Sequence, residues 1–332
     1  MSRQNLSHSL GNLPVPVRFG RRVLFALLQA LSLLLILPAG NAAQGNIVIF
    51  SSSPAPVYDQ VARLLKANLN EQCGDLGAEC APHQIHILAQ EKAGERVVIP
   101  PNTRLIITLG QHAGQLIHDL DTGLPTLHAL IPKSAYEQLG GGANHSAIYL
   151  DQPISRQLQL ARIIIPDPHI GLLISPLTTP VRERLSAAAA IQGIPVTYRD
   201  VDDTHRLGPL LKEVLEESNV LLALPDPTIF NRSTIFNILL SSYHNKVPVI
   251  GFSSAYVKAG ALIATYSTPE DIAHHLAETT RDFLHPGTGA LPDPSYPKYF
   301  SVAVNRNVAR SLGISLPDET DIIRQMLEDN KP

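Results

Sequence analysis

The sequence predicts an α/β protein of two doubly wound lobes, each a parallel sheet covered by helices. Short apolar runs rich in β-branched residues alternate with longer amphipathic runs, the pattern of strands and covering helices. About five such strand–helix units occur before the stretch from Asp151 to Pro168, and a similar set follows it. A chain of 332 residues that is 44% hydrophobic can bury a substantial core, but it is too long for one ordinary domain.

The amino terminus has the pattern of a signal peptide. Three arginines between positions 18 and 22 precede an uncharged, leucine-rich run over residues 23–37, and small residues then suit cleavage after Ala42 or Ala43. The apolar run is shorter than the ~20 residues that span a bilayer. We therefore predict a signal peptide over residues 1–43 and a periplasmic protein, with an uncleaved membrane anchor as the alternative.

The two cysteines lie close together in the part of the chain predicted to be exported. Cys73 and Cys80 have six residues between them, in a segment that contains glycine and aspartate. An oxidising compartment favours a local disulfide between them, and two free thiols are the alternative. The histidines are scattered singly, apart from the adjacent His274 and His275, so we predict no metal site and no cofactor.

The predicted strands follow in order along the chain. They cover residues 47–50, 85–88, 105–109, 126–131, 147–150, 170–174, 196–201, 220–224, 247–252, 261–266 and 300–304. Helices are predicted over residues 57–69, 154–165, 181–191 and 272–284 because apolar residues recur there at helical spacing. The helices predicted over residues 57–69, 181–191 and 272–284 have Pro56, Pro180 and Pro269 near their starts, which suits a helix start.

Charge and motifs exclude several classes of function. The 26 basic and 29 acidic residues leave a formal net charge of -3, which offers no attraction for nucleic acid. The patterns G-x-x-x-x-G-K-[ST], G-x-G-x-x-G, H-E-x-x-H and C-x-x-C are missing from the sequence. Residues 251–255 approach a G-x-S-x-G elbow around Ser253, with His274, His275 or His285 as a base, but position 255 is alanine. We predict a protein that is not an enzyme, and a serine esterase is the weakest alternative.

Small polar residues follow the predicted strands, where ligands bind in open parallel sheets. Hydroxyls and backbone N–H groups at helix starts bind carboxylates and phosphates, although a plain helix cap is the alternative role for any one of these serines. Their shared placement predicts a ligand site. The candidate residues are Ser52, Ser53, Gly110, Gln111, Ser175, Thr178, Asp226 and Ser253.

Three segments of the second half resemble a known family. They are NVLLALPDP at residues 219–227, KVPVIGFSSAYVKAGALIATY at 246–266 and FSVAVNRNVARSLGISLP at 300–317. Together they resemble the ABC transporter substrate-binding protein family, in the form of an uncharacterised periplasmic component related to tryptophan- and tyrosine-binding proteins. The resemblance covers most of residues 46–328 and is strongest from Asp151 onward.

The resemblance implies a type I periplasmic binding protein fold, in which three crossovers join two flavodoxin-like (Rossmann-like) lobes. The first lobe would hold residues 46–153 and 261–290, and the second residues 154–260 and 291–328. It also implies that Ser52, Ser53, Gly110 and Gln111 belong to the cleft side of the first lobe. Ser175, Thr178, Asp226 and Tyr256 would belong to that of the second.

Asp226 is then the candidate partner for a ligand amine. The chain departs from amino-acid binders at residues 225–227, which read Pro-Asp-Pro, and at residues 230–233.

The implied function is the solute-binding component of an ABC-type uptake system, which binds a small amino-acid-like or carboxylate ligand as its lobes close. Its partners would be that ligand and an ABC permease in the inner membrane. The alternative is a periplasmic ligand-sensing protein that signals to a membrane receptor, because both functions use the same closure.

Overall fold

The chain folds into two separate parallel β-sheets with helices on their faces. The computed structural model describes residues 45–52, 55–75, 84–89, 97–285 and 287–328, with the backbone alone for residues 72–75. The predicted signal peptide, Ser53 and Cys80 lie outside the described residues, and the side chain of Cys73 is not described. The disulfide and the signal peptide therefore stay predictions. Among the described residues, no helix is long and apolar enough to cross a membrane.

The first sheet has five parallel strands in the order β2-β1-β3-β4-β5. This is the flavodoxin-like order, in which the chain reverses its direction of growth between β1 and β3. Its strands are β1 (Asn46–Ser51), β2 (Gln84–Ala89), β3 (Thr103–Leu109), β4 (Thr126–Ile131) and β5 (His145–Tyr149).

The second sheet has six strands in the order β11-β10-β9-β8-β6-β7. It is parallel except for β11, which pairs antiparallel with β10, and its direction reverses between β6 and β8. Its strands are β6 (Ile170–Ile174), β7 (Val196–Asp200), β8 (Val220–Leu222), β9 (Val249–Gly251), β10 (Ile263–Tyr266) and β11 (Ser301–Val304).

Helices cover both faces of each sheet, which explains why the interior strands β4 and β6 are buried at every residue. The helix α9 begins with a capping box between Thr268 and Asp271, as the predicted helix start requires. The described helices are α1 (Pro56–Asp75), α2 (Gln111–Asp119), α3 (Lys133–Leu139), α4 (Ile154–Ile164), α5 (Thr179–Ile191), α6 (Leu207–Glu217), α7 (Ile235–His244), α8 (Ser254–Ala259), α9 (Pro269–Leu284), α10 (Arg306–Leu312) and α11 (Glu319–Glu328).

The chain returns to the first lobe later than the resemblance implies. The strand β10 does not join the first sheet, because it pairs with β9 on one side and β11 on the other. Helix α9 does belong to the first lobe, where Ile272 and Leu276 share a core with Ile47 and Ile107. The backbone of Ser295 then pairs with β5 of the first sheet. The return therefore begins after β10 and includes residue 295, which corrects the predicted boundaries at 261 and 291.

Three connectors join the lobes, at residues 150–153, 266–268 and 296–300, and side-chain hydrogen bonds link them. Gln152, which is 9% exposed, donates from Nε2 to the Ser267 hydroxyl at 3.0 Å. That hydroxyl donates to the Tyr299 carbonyl at 2.7 Å. Arg156 donates to Gln152 Oε1 at 2.8 Å and to the Pro297 carbonyl at 2.9 Å. Each connector is thus hydrogen-bonded to another one.

Candidate ligand-binding site

The first lobe presents polar residues at the end of the two strands between which its sheet reverses. Ser52 follows β1, and Gly110 follows the neighbouring strand β3. Gly110 has a φ of 94° and precedes α2, whose first residue, Gln111, is exposed. A Cβ built on Gly110 would lie 2.5 Å from the Tyr58 hydroxyl oxygen, so Tyr58 lies directly over this glycine. Tyr58 is a neighbour of the site that sequence reasoning missed, although it occupies the first turn of α1.

The second lobe brings three of its predicted residues into one hydrogen-bonded group. Ser175 follows β6, and Asp226 lies in the loop after the neighbouring strand β8. Thr178 receives a hydrogen bond from the Ser175 backbone N–H at 3.0 Å and donates to Asp226 Oδ2 at 3.0 Å. Asp226 Oδ1 accepts from the Thr228 backbone N–H at 2.9 Å. These contacts join the loops after two adjacent strands.

The Asp226 carboxylate is fully buried and already holds two hydrogen bonds. It is 1% exposed, and a carboxylate offers about four acceptor positions. Thr178 and Thr228 use two of these positions. A buried carboxylate is stable only when its charge is compensated, which makes this group the strongest acceptor at the second lobe's reversal point.

Helix capping does not account for the hydroxyls of Thr178 and Ser253. Thr178 occupies the N-cap position of α5 and Ser253 that of α8, yet neither side chain accepts a capping hydrogen bond from its helix. Thr178 uses its hydroxyl to reach Asp226 instead. Neither residue therefore has the plain helix-capping role that the sequence left open.

An aromatic group borders the end of β9. The Tyr256 ring lies 4.2 Å from the Phe252 ring, and Phe252 lies 6.5 Å from Phe230 between ring centroids. The Tyr256 hydroxyl donates to the Phe230 carbonyl, and burial raises its pKa. Tyr256 therefore fastens α8 to the loop after β8, and the half-buried Phe252 gives this edge of the sheet an apolar surface.

The histidines proposed as a base for Ser253 have other partners in the first lobe. His274 stacks on Tyr299 with ring centroids 4.6 Å apart, and His275 Nδ1 accepts from the Lys298 backbone N–H at 3.3 Å. Both residues lie on α9, which packs on the first sheet, whereas Ser253 belongs to the second. This geometry gives no support to a serine esterase.

The ends of β4 and β5 carry a further polar group that sequence reasoning missed. Asp151, which follows β5, accepts a hydrogen bond from the Lys133 backbone N–H, and burial raises the pKa of its carboxyl. The Lys133 ammonium lies 5.7 Å from the Tyr149 ring centroid and 5.3 Å from that of Tyr296. Burial raises the pKa of Tyr149 to about 12. The rule that located Ser52 and Gly110 also applies to Lys133 and Asp151, which directly follow strands.

Arg184 of α5 reaches this group from the second lobe. Its guanidinium lies 3.2 Å from the Glu137 carboxylate on α3, and its Nε is buried without a hydrogen-bond partner among the described residues. The guanidinium charge also acts on Tyr149, Asp151 and Tyr296, whose pKa values it lowers against the effect of burial. The two lobes therefore touch through a charged contact at the carboxyl end of the first sheet.

The model of the family described as ABC transporter substrate binding protein matches residues 142–324, just over half of the chain. The chain belongs to this family. This substrate-binding family is the one whose motifs the second half of the sequence resembles. A search of curated protein sequences finds no match to the chain.

Solved structures share the fold of this substrate-binding protein at low sequence identity. A ligand-free, open substrate-binding protein with adhesive properties from Clostridium difficile aligns with a TM-score of 0.66 and 16% identity, over 82% of this chain and 96% of that one. An ABC domain in complex with L-Trp from Streptococcus pneumoniae and a conserved domain protein from Vibrio cholerae each align with a TM-score of 0.57 and 18% identity, over 85% of this chain and 98% of theirs. The two lobes have the type I periplasmic binding protein architecture, which confirms the predicted fold.

Proposed function

We propose that the protein is the solute-binding component of an ABC-type uptake system and captures its ligand between the carboxyl ends of its two sheets. The observation that carries this proposal is the polar group at each reversal point: Ser52 and Gly110 in the first sheet, and Ser175, Thr178 and Asp226 in the second. In open parallel sheets, this is where ligands bind.

Closure of the lobes supplies the mechanism. A ligand held by one lobe gains further contacts when the other lobe moves onto it, and only such differential contacts shift a conformational equilibrium. The three connectors absorb the change of angle, because they are the only described segments through which the chain passes between the sheets.

The proposed ligand is a small amino-acid-like or carboxylate molecule. The backbone N–H groups at the start of α5 suit an anionic group, since the Thr178 side chain does not cap them. Asp226 is the proposed partner for an ammonium group, through the acceptor positions that Thr178 and Thr228 leave unused. The half-buried Phe252 suits an apolar side chain. The bound L-Trp named for the Streptococcus pneumoniae structure is consistent with such a ligand.

The proposed location is the periplasm, and the proposed partner is a membrane permease. Substrate-binding proteins of ABC systems work outside the cytoplasm, and residues 1–43 have the pattern of a signal peptide. The permease would recognise the closed form. The sensor alternative shares every ligand contact and differs in its partner, so binding to a purified permease in the presence of ligand distinguishes the two functions.

A thermal-shift screen of residues 44–332 against single amino acids and small organic acids tests the proposal. A ligand at a hundred times its Kd adds about 2.7 kcal/mol to the stability of the folded protein.

The variant Asp226→Asn keeps the acceptor for Thr228 and removes the charge. An amine-bearing ligand should therefore bind at least about tenfold more weakly, because one charged hydrogen bond is lost. The exposed Asp202→Asn is the matched control. Equal binding by both variants would rule out the role of Asp226, and no hit in the screen would count against the ligand class.

A further inference from the structure

A cavity of about 430 Å³ lies in the first lobe, away from the proposed cleft. It is bordered by Leu127 near the amino end of β4, by residues 146–148 of β5, by α9 and by residues 288–298. Leu127 and Ser146, which line it, are the second residues of their strands. The proposed cleft lies in the same sheet but at the carboxyl ends of β1 and β3. This cavity is therefore distinct from the site formed at the reversal point of the sheet.

Ser146 is a buried polar residue that the described structure leaves unpaired. It is 1% exposed, and its hydroxyl has no hydrogen-bond partner among the described residues. Side chains alternate along a strand, so Ser146 lies on the same face of β5 as Ile148, which belongs to the core beneath α9. Ile148 also lines the cavity, as does Leu127, the residue of β4 that pairs with Ser146. An unpaired buried hydroxyl costs stability, and a bound molecule in the cavity would give it a partner.

The rim of the cavity carries uncompensated negative charge. Asp282 on α9 and Asp293 are exposed, and neither takes part in a hydrogen bond or an ion pair within the part of the chain that is described. The third acid, Glu278, accepts from the Tyr299 hydroxyl at 2.6 Å and from the Lys298 ammonium at 3.0 Å. Lys298 is thus paired with Glu278 and with neither aspartate.

The arrangement of these acids suits an organic cation more than a metal ion. No group of three His, Cys, Asp or Glu residues within the described ranges lies close enough to hold a metal. His275, which also lines the cavity, uses Nδ1 for the Lys298 backbone N–H, and burial lowers its pKa. Between rim and strand ends, the lining is mainly apolar and includes Leu127, Ile148 and Pro292. The cavity thus offers charge at its mouth, an apolar middle and one hydroxyl at its wall.

We propose that this cavity binds a small organic amine, whose ammonium group lies at Asp282 and Asp293 and whose far end hydrogen-bonds to Ser146. The carbon chain of such a molecule would cover Leu127 and Ile148. A volume of this size falls within the range of small-molecule sites.

Isothermal titration calorimetry of residues 44–332 at pH 7.5 tests the site with two matched probes. The first, 5-aminopentan-1-ol, has an ammonium group and a hydroxyl, and the second, n-pentylamine, lacks the hydroxyl. We expect both to bind, with the hydroxyl-bearing probe tighter by roughly two- to tenfold, the effect of one hydrogen bond. The variant Ser146→Ala should remove this difference and bind the two probes equally, and it should fold normally because it deletes an unpaired group.

The charged end of the site has its own variants and controls. Asp282→Asn combined with Asp293→Asn should weaken both probes by about three- to tenfold, since exposed charge pairs contribute little individually. Asp202→Asn is the control for a lost surface charge. Repeating the titrations in an Asp226→Asn background removes the proposed amine partner in the cleft, so the binding that remains reports on this cavity. The proposal would be overturned if the combined Asp282 and Asp293 changes left the probe affinities unaltered. It would also be overturned if Ser146→Ala still preferred the hydroxyl-bearing probe.

Discussion

Arg184 of the second lobe and Glu137 of the first form an ion pair, with Arg184 Nη1 lying 3.2 Å from Glu137 Oε2. The pair belongs to two helices, α5 and α3, on different sheets. It is partly exposed, so its contribution is limited to about 0.2–1 kcal/mol and decreases as salt is added. A contribution of this size still changes an equilibrium between lobe arrangements by up to about fivefold.

Removal of this ion pair should therefore favour a more open ligand-free protein. We expect Arg184→Gln to increase the radius of gyration measured by small-angle X-ray scattering at low salt, and to have little effect at 0.5 M salt. The exchanged pair Glu137→Arg with Arg184→Glu should restore the wild-type value. Identical scattering from wild type and Arg184→Gln at low salt would show that the pair has no influence on the lobes.

The connectors provide a second prediction. Gln152→Ala removes one hydrogen bond of the half-buried Arg156 and one of Ser267, so the free energy of unfolding should decrease by about 1–3 kcal/mol, the contribution of two hydrogen bonds. Urea denaturation measures the difference. Gln115 is the matched control, because its amide bonds to Asp119 on an exposed helix surface, and Gln115→Ala should cost less than about 0.5 kcal/mol. A similar loss in both variants would argue against a special role for the connectors.

A histidine network predicts how stability depends on pH. His128 Nδ1 lies 2.8 Å from the Thr108 hydroxyl, and its Nε2 lies 3.1 Å from His145 Nδ1. Burial, followed by the charges of His145 and His118, lowers the pKa of His128 to about 3, and burial also lowers that of His145. The folded state then binds fewer protons than the unfolded state below pH 6.5. The contribution of these histidines to the free energy of unfolding is fully present above that pH and decreases as the pH falls toward 3.

The size of this effect is measurable by denaturation at two pH values. The His128 contribution alone should decrease stability by about 2 kcal/mol between pH 6.5 and 5, since each pKa unit corresponds to about 1.4 kcal/mol. His128→Asn should show a flatter dependence over this range, whatever its absolute stability. The exposed His205→Gln should keep the wild-type slope. Parallel curves for wild type and His128→Asn would contradict the assignment.

Gly110 offers a prediction about the cleft. Its φ of 94° and the Tyr58 ring above it both oppose a side chain, so Gly110→Ala should destabilise the protein by about 1–3 kcal/mol. Adding Tyr58→Ala should recover the steric part of this loss. Gly208 is the control, because it lies in α6 with open space around it, and Gly208→Ala should stabilise by about 0.5–1 kcal/mol. Thermal unfolding measures all four proteins, and a neutral Gly110→Ala would show that Tyr58 moves freely.

Local patterns in the sequence were sufficient to predict the strands and part of the site. Each predicted strand overlaps a strand of the structure, because buried parallel strands consist of continuous β-branched runs. The strand-end rule also located Ser175, Thr178 and Asp226, which come together because β6 and β8 are neighbours. These relationships follow from residue type and strand order alone.

Contacts between lobes could not be predicted in this way. Arg184 lies within a helix, and nothing in its neighbourhood indicates that Glu137, 47 residues earlier, is its partner. Tyr296 meets Tyr149 because the last connector passes along the edge of β5. The sheet that β10 joins depends on which strand offers an unpaired edge to it. Such features depend on the relative position of distant elements, which a single sequence does not specify.

The late return of α9 to the first lobe affects how the protein is made. Ile272, Leu276 and Phe283 complete the core around β1, β3 and β4, although they follow the whole of β6 to β10 in the chain. During synthesis, the amino-terminal lobe thus lacks a wall of its core until nearly 240 residues after its first strand have emerged. A polypeptide with this topology reaches its native state only when it is almost complete. A fragment that stops at residue 260 would expose apolar surface in its first lobe, because α9 would be missing.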